Sequence, residues 1–143
     1  MKLHALTVTA LALVTFASCT PTIPSGRRLD PTQVTALPRA WPTPAALAPT
    51  AAPRIQVLWM NETTIPTGSD WYGRIVASTN TASIEIRTES FSFVADRTTF
   101  GNFSFREHVL DMIEPYRSGY TLVVIARNAA GVEDRVTVPI AFK

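Results

Sequence analysis

Cysteine is almost absent from this chain. Its 143 residues include one, Cys19, so no internal disulfide can brace the fold and hydrophobic packing must do so alone. Charge of one sign is missing too. The net charge is +2, which excludes the strong field that nucleic acid or an anionic surface draws on. Even that excess lies outside the C-terminal part, where residues 54–143 carry nine Arg or Lys against ten Asp or Glu. No apolar run reaches the roughly 20 residues needed to cross a bilayer core. There is no G-x-S-x-G elbow, no D-x-D-x-D calcium loop and no Cys…Trp…Cys core. The chain therefore carries no catalytic, metal or cofactor signature and reads as non-enzymatic.

The N-terminus does carry a pattern. Lys2 gives a short positive start, and Leu3 to Phe16 is an uncharged apolar run of about 14 residues. That length fits the core of a signal peptide rather than a membrane span. Small residues Ala17 and Ser18 follow, and then Cys19. The stretch Phe16-Ala17-Ser18-Cys19 resembles the lipobox of bacterial lipoproteins, with Phe16 where that family usually has Leu. The resemblance implies that residues 1–18 are removed, that the Cys19 thiol takes a diacylglyceryl group and that its amine is acylated. One acyl chain holds only marginally, whereas two or more anchor stably. The implied location is the bacterial cell envelope. Thr20 stands where Asp would direct retention in the inner membrane, which favours the outer membrane in a Gram-negative cell.

Residues 20–53 change character: 21 of these 34 residues are Pro, Ala or Thr. Proline lacks a backbone donor and disfavours helix in the residue before it, so the segment reads as a disordered linker. In polyproline geometry such a tether would reach on the order of 100 Å. Leu37 and Trp41 are its large apolar residues, read as solvated or loosely packed, with a docking motif as the alternative. Arg27-Arg28 lies close enough to the expected lipid to touch headgroup phosphates.

From Arg54 onward short alternating runs separated by turn residues predict an all-β sandwich of about seven strands. Ile55, Val57 and Trp59 form the first; Trp71, Gly73, Ile75 and Ala77 share one face of the second; Ile84 and Ile86 mark the third. Phe91, Phe93 and Ala95 mark a fourth, Asp96 to Thr99 a turn, and Phe103, Phe105, Glu107 and Val109 a fifth. Val109 to Met112 could instead form a helical turn before Pro115. Tyr120, Leu122, Val124 and Ala126 alternate in a strand apolar on both faces, Asn128 to Gly131 turns, and Val136 to Phe142 closes the domain. The stretch GYTLVVIARNAAG resembles the penultimate strand and hairpin of fibronectin type III and bacterial immunoglobulin-like domains. That resemblance implies an immunoglobulin-like Greek-key sandwich over residues 54–143, of a class that mostly mediates protein contacts. Asn128 and Gly131 are the residues expected to tolerate left-handed backbone in the turn.

Candidate sites are few. His108 lies in sequence near Glu107, Asp111 and Glu114, but one histidine beside scattered acids reads as solvated rather than as a metal ligand. If an ion binds, calcium at the loop acids Asp70, Asp96, Glu133 and Asp134 is the expectation. Trp59, Trp71 and Tyr72 could form an aromatic platform for a glycan, although tryptophan in a sandwich is usually core. Asn61-Glu62-Thr63 and Asn102-Phe103-Ser104 match the glycosylation sequon and are read as coincidental. The expected role is an anchored module that binds an envelope or surface protein, with a carbohydrate-binding module as the alternative. No nucleic-acid partner is expected.

Overall fold

Two faces of alternating residues dictate two sheets. The computed structural model describes residues 26–111 and 119–143; the expected signal peptide, Cys19 and Glu114 lie outside them. The elements run β1 (Arg27–Arg28), α1 (Pro31–Thr35), β2 (Ile55–Met60), β3 (Thr64–Ile65), β4 (Asp70–Ala77), β5 (Thr81–Arg87), β6 (Ser92–Val94), β7 (Asp96–Thr99), β8 (Asn102–His108), β9 (Gly119–Asn128) and β10 (Glu133–Phe142). One sheet has the order β2-β4-β8-β7, and the other β1-β10-β9-β5-β6, with β3 also pairing β10. That is the ABED and GFC arrangement of an immunoglobulin-type sandwich, with β6 added beside β5.

Between the sheets lies one core. Met60, Trp71, Ile75 and Phe103 from the first sheet meet Ile84, Ile86, Leu122, Val124, Val138 and Ile140 from the second. Strand β9 is central, as its two apolar faces require. Ile125 on its outer face is buried between Arg135 and Glu85 on the flanking strands; the Arg127 guanidinium bridges Glu85 and Glu133 across three strands, and Arg135 also donates to Glu133.

Three local expectations are corrected. In β2 the inward residues are Ile55, Leu58 and Met60, while Val57 and Trp59 face outward, because a bulge between Ile55 and Val57 reverses the alternation. Asp96 to Thr99 is a strand, β7, and the turn falls one step later at Gly101, whose φ is +73°. An exposed edge strand has no apolar face to announce it. Asn128 keeps a negative φ, and Gly131 alone supplies the left-handed residue of its hairpin. Val109 to Asp111 carry no helix; Met112 is outside the described residues.

The Pro/Ala/Thr-rich stretch differs most from expectation. From Gly26 to Pro53 it is a belt bound to the sandwich. Strand β1 pairs in parallel with β10, Arg27 beside Val136 and Arg28 beside Thr137. Asp30 caps α1 through a capping box, and Pro31 opens it. The helix seats Val34, 1% exposed, in the common core. Trp41 then crosses the outer face of the four-stranded sheet, meeting Trp59 edge-on at 6.5 Å. Pro44 lies on Gly101, where an added Cβ would come within 2.5 Å of it. The Ala45 carbonyl accepts from Thr79 N. Asn80 donates to the carbonyls of Ala48 and Ala51, and Asn128 to those of Pro49 and Ala51. Proline-rich chain cannot pair with itself, so its carbonyls are free to be captured by side chains of the domain.

The edge of β10 is closed by the same logic. Leu29 N donates to Thr137 O on one side and Ala141 N donates to Thr63 O on the other. By strand parity the residue between them, Pro139, would turn its N–H to the same edge, and proline has none to leave unpaired.

Candidate functional site

The outer face of the four-stranded sheet concentrates the chemistry. Strand alternation puts Tyr72 and Arg74 of β4 outward because Trp71, Gly73 and Ile75 point in. Pairing then sets Trp59 opposite Arg74, Arg106 opposite Tyr72, and His108 opposite Asp70. Gly73 is required at the centre, since a Cβ there would lie 2.5 Å from both Trp59 O and the Phe105 ring.

These side chains form a continuous ladder. The Arg74 guanidinium sits 4.2 Å over the Trp41 ring and donates to Asn102 Oδ1 at 3.2 Å. Trp59 and Tyr72 lie 6.0 Å apart, tilted by 59°. Arg106 reaches over Tyr72 at 5.6 Å and donates through Nε to Asp70 Oδ2 at 3.1 Å. His108 Nδ1 meets Asp70 Oδ1 at 3.0 Å. That hydrogen bond from His108, with the Arg106 charge beside it, holds the Asp70 carboxyl below the usual carboxylate range. The belt covers the Trp59 end of the ladder, taking the indole N–H on Thr35 O at 3.2 Å. Tyr72, 40% exposed, and the still more open Arg106 and His108 form the uncovered end.

Of the three aromatic residues proposed for a glycan platform, Trp59 and Tyr72 stay adjacent on the outer face, while Trp71 turns inward. Trp71 is core, packed against Phe105 at 4.9 Å with its N–H on Glu62 O. Trp59 is half-buried and Tyr72 exposed. The acids proposed for calcium also separate, onto both sheets. Asp70 is engaged as above; Asp96 stands opposite Ser104 on the β7 edge; Glu133 binds Arg127 and Arg135; Asp134 accepts from Ile55 N and from Arg27. Among the described residues no three of His, Cys, Asp or Glu come together. Both sequon asparagines are engaged, Asn61 with the backbone of Asp70 and Tyr72, and Asn102 with Arg74 and Thr99.

A concavity of about 290 Å³ opens at the end of the sandwich where β8 and β10 finish. Trp71, Phe91, Phe93, Val109, Leu110 and Phe142 give it an apolar lining, with Ser92, Glu107 and His108 as its polar residues. Sequence reading singled out neither Arg74, Arg106 nor this cleft. The alternation Tyr72-x-Arg74 was a usable signal; the juxtaposition of Tyr72 with Arg106, 34 positions away, depends on register. No protein-family profile matches the chain, and no curated protein matches it.

Proposed function

We propose that the chain is a lipoprotein of the bacterial envelope, attached through Cys19, whose sandwich is a non-enzymatic module that binds another envelope or surface protein through the outer face of the four-stranded sheet. The observation that carries this reading is the open end of the ladder, where Tyr72, Arg106, Asp70 and His108 stand together on rigid strands. Tyrosine and arginine dominate the energetic centres of protein interfaces because each supplies large contact area and directional donors at little conformational cost. Here the ion pair and the strands hold both side chains in place before a partner arrives.

The glycan alternative rests on the same Tyr72. A sugar ring stacks best on a flat exposed aromatic surface, and Trp59 and Tyr72 are tilted by 59° with Trp41 already against Trp59. That leaves one open ring beside charged groups, which favours a protein surface.

Two measurements test the reading. Mass spectrometry of the native N-terminus should find an acylated Cys19; a free thiol there, or cleavage elsewhere, overturns the anchor. A photo-crosslinking residue at position 72, in living cells, should capture one predominant protein. Tyr72→Ala should weaken co-purification of that protein by at least about 30-fold, the loss of a typical hot spot. Absence of any protein adduct, together with glycan binding that Tyr72→Ala abolishes, overturns the protein-binding role.

A further inference from the structure

The end of the sandwich from which the chain leaves toward Cys19 carries an uncharged tip with exposed apolar side chains. Gly26 packs against Arg135, close to the start of β10, and β1 runs away from that end. The same end carries the hairpin between β7 and β8, the turn between β4 and β5, the hairpin between β9 and β10, and the belt that joins all three. Phe100, 69% exposed, projects from the first hairpin, Leu47 from the belt and Val132 from the last hairpin. Segments 44–53, 78–80, 99–101 and 128–132 contain no charged residue. The acids that follow Val132, Glu133 and Asp134, are already bound to arginines. At the margin Arg54 is exposed, and Arg97 stacks its guanidinium 4.6 Å over the Phe100 ring. An open aromatic ring capped by arginine, on a neutral apolar tip, suits an interface where a ring enters the acyl boundary and a cation stays with the phosphates.

The leash sets the partner. With the belt bound to the sandwich, seven residue steps separate Cys19 from Gly26, and fully extended chain spans at most about 25 Å over that length. From this we infer that the tip bearing Phe100, Leu47 and Val132 docks on the surface of the membrane that holds the Cys19 lipid. The inference rests on the lipid-anchor reading. It also turns the Tyr72–Arg106 surface sideways and outward, clear of the bilayer, because Asp70 and His108 lie at the far ends of β4 and β8 from the tip.

The test uses the mature, processed full-length chain in vesicles of phosphatidylethanolamine and phosphatidylglycerol. Phe100→Cys and Val132→Cys place a thiol at the tip, and Leu110→Cys places one at the opposite end, for labelling with an environment-sensitive fluorophore. Lipid attachment consumes the Cys19 thiol, so one label per chain reports the anchor independently. The expected result is blue-shifted emission at positions 100 and 132, quenched by a nitroxide near the lipid headgroup about threefold or more than at position 110. Vesicle-bound protein with one label and equal, weak quenching at all three positions overturns the docking while leaving the anchor intact. A blue shift at position 100 that lipid nitroxide does not quench overturns it in favour of a protein contact. Two labels per chain, with the protein free of the vesicles, overturns the anchor and the docking with it.

Discussion

Asn128→Ala isolates the force that turns a proline-rich stretch into part of a domain. The Asn128 side chain is 4% exposed and makes four hydrogen bonds: Nδ2 donates to Pro49 O at 3.0 Å and Ala51 O at 2.8 Å, while Oδ1 accepts from Ala130 N at 3.0 Å and Val132 N at 2.9 Å. A buried hydrogen bond contributes about 1 kcal/mol net, and a donor left dry costs about 1–3 kcal/mol. Two groups escape the full penalty. Ala51 O keeps Asn80 at 2.8 Å, and the Ala130 amide sits in an exposed hairpin that water can reach. The expected loss is therefore about 2–4 kcal/mol, a large share of the 5–15 kcal/mol typical of a domain. Urea unfolding should show a lower midpoint with unchanged slope, and hydrogen exchange should accelerate across residues 44–52. A variant within about 0.5 kcal/mol of the parent, with belt exchange unchanged, would refute the argument that this one amide holds hairpin and belt together.

Three other perturbations read different layers. Val34→Ala, emptying part of the core site that α1 fills, should cost about 2 kcal/mol, and limited proteolysis should spare residues 36–53 until it is made; rapid cleavage there in the parent would contradict a bound belt. Ala126→Trp, at a fully buried point between the sheets, should cost at least about 1–3 kcal/mol by calorimetry. Glu85 and Glu133 are held below the ordinary carboxylate range by Arg127 and Arg135, respectively, as first causes. Their depressed folded values mean the stabilisation is complete above that range and lost as pH falls through the folded values. Stability should thus decline from roughly pH 5 downward, and Arg127→Gln should flatten that acid limb in pH-dependent unfolding.

The strands were legible where burial is one-sided. Trp71-x-Gly73-x-Ile75-x-Ala77 and Val136-x-Val138-x-Ile140-x-Phe142 announce inward faces because alternate positions meet the same environment. The β2 alternation misled because a bulge adds one residue that composition does not mark, and β7 was hidden because all four of its residues are exposed. The belt was illegible for a deeper reason. Its bonding partners are side chains such as Asn80 and Asn128, and local proline content excludes helix and sheet without excluding capture by a distant amide. Of the candidate site, Tyr72 was picked out as one of three aromatic residues of a possible glycan platform, while Arg106 and the His108–Asp70 pair required strand register.

The closure of β10 on both sides has a kinetic consequence. Arg27 meets Asp134 across 107 positions of sequence, and β1, β3 and one edge of β9 all take hydrogen bonds from β10, the last strand in chain order among the described residues. A chain that emerges N-terminus first must leave β1, β3 and one edge of β9 unpaired until β10 arrives. Pairings so distant in sequence belong to slow, high-contact-order folding, on a scale of milliseconds to seconds.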